Sequence, residues 1–285
     1  MSFSERQGLK PARKILQTDS IDDALRNRLW NVLSSLLPSF QEGYSFRQQR
    51  NAYLHDFCHA LWHSFFKTPI DSIPEWPNKA ITQIRGYYFA CPWNEVYDFI
   101  EFFLPRVSSA SYNLDSNTQR VNEVLASELS AYRLVAGRVV PISSEQEAQA
   151  IEKAIEQTRG PYSNAAEHLQ QAVNLLARKP VPDFRNSIKE SISAVEAISA
   201  VITGDTRATL GDALKVIGSR APLHGALRSA FDKLYGYTSD ADGIRHALME
   251  EANLEQEDAI FMLVACSAFV SYLIAKQSRV SAPRK

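Results

Sequence analysis

The chain has 285 residues with an apolar fraction of 45% and a charged fraction of 22%, an ordinary composition for a globular protein with one or two cores. Its formal net charge of −1 excludes general attraction to nucleic acid, so any such contact requires a local patch. An odd number of cysteines, three, favours reduced thiols in a cytoplasmic protein over a disulfide framework.

The first half is predicted to form aromatic-rich helices joined by turns. The N-terminus, MSFSERQGLK, has no apolar signal region, so secretion is not expected. Ser20 is placed to cap a helix over 21–37, where apolar residues recur at helical spacing until Pro38 stops it. Further helices are predicted over 46–67, 78–90 and 93–104, the last ended by Pro105.

Three histidines, His55, His59 and His63, lie four residues apart on the second predicted helix. Histidines at this spacing share a helical face and could hold a metal ion. Asp56 stands where zinc proteases carry a longer glutamate, and no second cluster downstream offers further ligands. We therefore expect structural histidines, with no metal and no cofactor. A metal-binding sensor built on these histidines remains an alternative.

The segment YRLVAGRVVPIS, residues 132–143, alternates apolar and polar side chains about Ala136-Gly137 and predicts a short β-hairpin. Ser143-Ser144 and the acidic residues after them begin a new helix. The boundary between two domains is therefore expected here, with one domain over 1–140 and the other over 141–285.

The second half is predicted to be a compact helical bundle, so the fold class is all-α. Ser163 is placed to cap one helix, and a helix over 184–202 carries an apolar stripe that Glu196 flanks and Glu190 lies nearly opposite. The terminal helix, 258–275, is apolar on nearly every face. This pattern favours the centre of a bundle, with a membrane anchor as the alternative.

An adjacent pair, Arg245-His246, precedes that apolar helix. Metal-independent RNA cleavage needs a base for the ribose 2′-hydroxyl, a cation for the phosphorane and an acid for the leaving oxygen. Histidine titrates near neutral pH and a guanidinium holds phosphate oxygens, so this pair could cover those roles. Adjacent helical residues point about 100° apart. Convergence on one phosphate therefore requires an irregular backbone or a second subunit.

Three segments together resemble the HEPN family of small helical bundles: DFRNSIKESISAVEAI, GIRHA and EDAIFMLVACSAFVSYL. The N-terminal segment FSERQGLKPARKILQTDSIDDALRNRLWNVL resembles an N-terminal domain of AbiJ-like abortive-infection proteins. The resemblance implies a metal-independent ribonuclease formed by two subunits. It assigns catalysis to His246 with Arg245, and support of the pair to Glu196. The match is incomplete, because the family's arginine precedes the histidine by several residues, where this chain has Ser239, Asp240 and Ala241.

The sequence thus predicts a cytoplasmic endoribonuclease toxin of an anti-phage abortive-infection system. Its expected partners are an RNA substrate, a second copy of the C-terminal domain, and a phage component or an antitoxin, with no membrane. The N-terminal domain would sense the trigger or control the toxin. The alternative is a HEPN-type bundle that lost the paired motif and serves in dimerisation or nucleic-acid binding.

Overall fold

A computed structural model gives the chain eleven α-helices and one two-stranded antiparallel hairpin among the residues it describes. Those residues are 3, 7, 16–37, 42–48, 53–107, 114–178, 181–207, 210–220, 224–239 and 254–281. The predicted class, all-α with a short hairpin, is confirmed. The chain divides into two compact units, Met1–Ser143 and Ser144–Lys285.

The first unit contains five α-helices and the hairpin in its described part. These are α1 (Asp23–Leu36), α2 (Tyr53–Ala60), α3 (Pro77–Ala90), α4 (Trp93–Val107), α5 (Leu114–Ser127), β1 (Arg133–Val135) and β2 (Arg138–Val140). α2 continues directly into a π-helical turn over Leu61–Phe66, and short 3₁₀ turns lie at Phe46–Gln48 and Ile70–Ser72.

The core of the first unit is largely aromatic. Tyr88, Phe99 and Phe103 are its largest fully buried side chains. On α4, the apolar residues recur every three or four positions, so one face of that helix is buried along its whole length. The Phe103 ring meets Phe57 at 5.3 Å and Phe99 at 5.5 Å between centroids. Such tilted and edge-to-face contacts add to the stabilisation from burial.

Two residues of the first unit that were predicted to mark helix ends do not do so. Asp22, not Ser20, is the N-cap of α1, because its carboxylate accepts the backbone N–H of Leu25 at 2.9 Å. Pro105 does not end α4, which continues to Val107. Proline lacks the N–H that would bond to the carbonyl four residues earlier, so the helix passes Pro105 without that one bond.

The predicted hairpin is present and is joined to α5 by one buried amide. Ala136 and Gly137 both have positive φ, 50° and 79°, as a tight two-residue turn requires. Asn122 is 2% exposed, and its side chain donates to the Leu134 carbonyl and accepts the Leu134 N–H, each at 2.8 Å. This amide therefore supplies both backbone partners that β1 needs on the side facing α5.

Replacing Asn122 by alanine should lower the free energy of unfolding by about 2–4 kcal/mol, since two buried backbone groups lose their partners. Urea denaturation followed by circular dichroism measures the change. The matched control is Asn31→Ala on the exposed face of α1, expected within about 0.5 kcal/mol of the parent. Equal stability of the two variants would refute this role for Asn122.

The second unit consists of helices in its described part. They are α6 (Glu145–Gln157), α7 (Ser163–Leu176), α8 (Phe184–Thr203), α9 (Leu210–Arg220), α10 (Gly225–Ser239) and α11 (Gln256–Ser281). Ser144 caps α6 by accepting the Glu147 N–H. Ser163 is not a cap but the first residue of α7, whose N-cap position is Tyr162.

The apolar helix α11 lies in the core of the second unit, where it packs against α6, α7, α8 and α9. Its inward face is formed by Ala259, Met262, Leu263, Cys266, Phe269, Val270 and Leu273. By length and composition its segment Gln256–Ser278, with a mean hydropathy of 2.0, could also cross a membrane. A mostly buried core helix has the same composition.

Candidate functional site

The structure describes one of the three residues that were predicted to form the site. Arg245 and His246 lie outside the described residues, between the end of α10 at Ser239 and the start of α11 at Gln256. Glu196 lies on α8, half-buried. The structure therefore positions the helices on either side of the Arg-His pair, and one of the three predicted side chains.

Glu196 lies on α8, a helix with a defined cap at each end. Asp183 caps its start by accepting the Asn186 N–H at 3.1 Å, and Gly204 ends it with a φ of 75°. Val195 and Ile198, close to Glu196 in the helix, are buried. The predicted position of Glu196 at the edge of the buried stripe is thus the observed one, and α8 packs directly on α11.

A second pair of titratable side chains joins α7 to α8. His168 Nδ1 lies 2.7 Å from Glu190 Oε2, and the two side chains are 38% and 23% exposed. A carboxylate at this distance fixes the orientation of an imidazole, as in catalytic histidine–carboxylate pairs. Glu190, which the sequence places nearly opposite the buried stripe, therefore has a histidine partner on the neighbouring helix. The helical spacing gave no signal for this, because the pair depends on the packing of two helices.

The predicted histidine cluster lies on α2 and its π-helical continuation. His55, His59 and His63 are all exposed, and the rings of His59 and His63 are stacked with centroids 6.4 Å apart. The His55 ring packs edge-on against Phe46 at 5.2 Å. Within the described ranges, no group of three or more potential ligands is arranged to hold a metal ion. The interpretation as structural histidines remains a prediction.

Residues 1–157 match the family model for AbiJ N-terminal domain 4. The chain belongs to the AbiJ N-terminal domain 4 family. The resemblance of the N-terminal segment to AbiJ-like proteins is thereby confirmed, and it indicates a defence-related protein of the abortive-infection type. No curated protein and no solved structure matches the chain.

The matched region of this AbiJ-family chain ends where α6 ends, at Gln157. It therefore covers all of the first unit and, in addition, one helix of the second. Within the second unit, α6 packs against both α7 and α11. The family thus includes a helix that belongs to the C-terminal bundle, whereas the rest of that bundle lies beyond the match.

The three thiols of this AbiJ-family chain are buried and free. Burial raises the pKa of Cys58 to about 12 and that of Cys266 to about 12. Burial also raises the pKa of Cys91, against the opposing effect of the Arg26 guanidinium. A thiol with a pKa near 12 is only about 10⁻⁴ thiolate at pH 8, and the thiolate is the nucleophile. These groups are therefore poorly suited to nucleophilic catalysis.

A thiol reagent such as Ellman's should accordingly label none of the three cysteines of the native protein within minutes at pH 8, because the thiols are both buried and protonated. In denaturant, all three should react. The absorbance of the released thiolate gives the count. Fast labelling of one equivalent in the native state would identify an accessible cysteine and contradict this expectation.

Proposed function

We propose that this AbiJ-like protein is an abortive-infection toxin whose residues 141–285 form a HEPN-type, metal-independent endoribonuclease acting in the cytoplasm. Residues 1–140 then sense the trigger, a phage component, or bind an antitoxin that controls the toxin. The observation that carries the proposal is the family match over residues 1–157, because it places the chain among abortive-infection proteins. The assignment as a nuclease rests, in addition, on the chemistry proposed below for residues of the C-terminal half.

The proposed chemistry uses one histidine and one arginine from each subunit. His246 exchanges protons with the 2′-hydroxyl or the leaving 5′-oxygen, since imidazole titrates near neutrality. Arg245 stays cationic and balances the charge on the phosphorane. Glu196 holds this pair in position. Neither a metal nor a cofactor takes part in the proposed reaction.

The scaffold of the second unit supports this assignment. α8, which carries Glu196, and α11, which follows the Arg-His pair in sequence, pack against each other. A rigid pair of packed helices suits a site whose groups must be held within a fraction of an ångström. The His168–Glu190 pair also links α8 to its neighbour α7.

A homodimer through the C-terminal half completes the proposed site. One Arg-His pair supplies too few groups for both proton transfers, whereas two pairs facing one cleft supply an acid and a base. A twofold dimer is the commonest arrangement of identical subunits. Light scattering should therefore give twice the 32.0 kDa chain mass. A strict monomer at micromolar concentration with RNA present would exclude the composite site.

The second candidate function is a catalytically inactive HEPN-type module for dimerisation or nucleic-acid binding. It is favoured because the positions where the family has its arginine are occupied in this chain by Ser239, Asp240 and Ala241. The retained Arg245-His246 pair favours the nuclease. The two functions differ in whether cleavage, rather than binding alone, depends on His246.

Expression in cells distinguishes the two proposals. The parent chain should slow growth and fragment cellular RNA, whereas His246→Ala, expressed to the same level, should do neither. Growth curves and gel profiles of total RNA give the readout. If the parent and His246→Ala affect growth and RNA equally, the nuclease proposal fails and the binding module takes its place.

A further inference from the structure

The first unit contains a cleft of about 800 Å³ between the π-helical end of α2 and the helices α3 and α4. A volume of this order, within about 300–1,000 Å³, is typical of sites that hold small organic ligands. The π-helical turn Leu61–Phe66 ends at Lys67, a non-glycine residue with φ of 54°. Such turns and such backbone conformations are enriched at functional sites.

Aromatic rings form one wall of this cleft. Trp62, Phe65 and Phe66 come from the π-helical turn, and Tyr87 comes from α3. Ring centroids lie 4.8 Å apart for Phe66 and Tyr87, and 5.2 Å apart for Trp62 and Phe66. Mutual packing fixes these rings before any ligand enters, and part of Phe65, Phe66 and Tyr87 remains open to solvent. The wall is therefore a preformed aromatic surface.

Two carboxylates from α4 also line the cleft. Glu95 is half-buried and accepts the Tyr87 hydroxyl at 2.7 Å. Asp98, three residues later and so on the same face of α4, lines the cleft and is exposed. Partial loss of hydration, followed by the neighbouring charges of Glu101 and Glu95, raises the pKa of Asp98. The cleft therefore carries negative charge beside aromatic rings.

This negative charge has no cationic partner within the described part of the chain. Neither Glu95 nor Asp98 forms an ion pair there with a lysine, an arginine or a histidine. Glu101, one turn further along α4, is in contrast paired with Arg138 at 2.9 Å. Arg138 thus offsets the charge of Glu101, whereas the two carboxylates that line the cleft have no ion pair in the described part of the chain.

We propose that this cleft binds an organic cation, an ammonium or guanidinium group carried on a short hydrocarbon chain. The carboxylates of Glu95 and Asp98 bind the charged group, and the rings of Phe66 and Tyr87 pack against it and against its hydrocarbon chain. Aromatic faces attract such cations, and the attraction increases where water is excluded. The ligand source is either a free amine or an arginine or lysine side chain of another protein, which share this chemistry.

Other ligands fit the cleft less well. Phosphates and RNA are repelled by the two carboxylates, whose charge is not offset by an ion pair in the described part of the chain. A hard metal ion such as Ca²⁺ needs six to eight oxygen ligands, more than two carboxylates among aromatic rings supply. The cleft is formed by residues of the first unit, whereas the proposed nuclease residues belong to the second. A test of the cleft therefore does not depend on RNA cleavage.

Calorimetric titration of the full chain tests the proposal with four probes. Agmatine carries a guanidinium and an ammonium, putrescine carries two ammonium groups, and diacetylputrescine keeps the four-carbon chain without charge. A glycine-flanked single-arginine peptide represents a protein partner. Agmatine or putrescine should bind saturably at one site per chain, and diacetylputrescine at least about tenfold more weakly. Tighter binding of the peptide than of the free amines would identify a protein side chain as the source.

Matched variants locate the binding. Asp98→Asn should weaken agmatine about tenfold, as should Glu95→Gln, since each removes a charged hydrogen-bond acceptor. Asp98 is exposed, so its variant keeps the fold. Glu123→Gln, on the exposed face of α5, removes the same charge elsewhere in the unit and should leave affinity unchanged. Equal affinities for Asp98→Asn and Glu123→Gln, or no saturable binding by any charged probe up to about 10 mM, would overturn the proposal.

Discussion

Replacing His246 by alanine is expected to lower the rate of RNA cleavage by roughly a hundredfold to ten-thousandfold, the usual contribution of a general acid or base. Arg245→Lys keeps the positive charge but loses the planar fork, so we expect an intermediate loss. Single-turnover cleavage of an end-labelled RNA, in excess protein, measures both rates without a contribution from product release.

The matched control for this experiment is His59→Ala. His59 is exposed on α2 in the first unit, and removing it takes away one imidazole without affecting the proposed centre. Its rate should equal that of the parent. If His246→Ala cleaves as fast as His59→Ala, His246 takes no part in proton transfer and the chain acts as a binding module.

The second large effect concerns the aromatic core of the first unit. Phe103→Ala should lower the free energy of unfolding by about 3–5 kcal/mol, because a fully buried ring is lost and a cavity remains. Phe103 is 1% exposed and contacts both Phe57 and Phe99. Urea denaturation followed by far-UV circular dichroism gives the change in midpoint for the transition of this unit.

Phe261→Ala makes the same chemical change at an exposed position on α11, where the ring is 59% exposed. We expect its stability to lie within about 0.5 kcal/mol of the parent. A loss below about 1 kcal/mol in Phe103→Ala would mean that the core relaxes around the missing ring, contrary to its packed geometry.

Much of the fold could be predicted from the sequence because helical spacing records burial directly. The stripe on α8 is an example, since four of its five predicted members are buried, Ile188, Ile192, Val195 and Ile202, and the fifth, Phe184, is half-buried. Turn chemistry gave the hairpin, whose two central residues have positive φ. Helix ends were less certain, because several polar residues near an end compete to cap it, as Ser20 and Asp22 do at α1.

The sites were harder to predict because they depend on contacts between elements far apart in the chain. His168 and Glu190 meet only because α7 and α8 pack together. The cleft combines a π-helical turn with residues of two further helices, and no sequence period marks a π-helical turn. Arg245 and His246 remain known from the sequence alone, since both lie outside the described residues.

The central claim, a metal-independent ribonuclease, is tested most directly by the ends of the RNA products formed in excess chelator. When a ribose 2′-hydroxyl attacks the adjacent 3′-phosphate, one product ends in a 2′,3′-cyclic phosphate and the other begins with a 5′-hydroxyl. The account predicts these ends, at a rate that the chelator does not change. Cleavage that stops with chelator, or products with a 3′-hydroxyl and a 5′-phosphate, would contradict it.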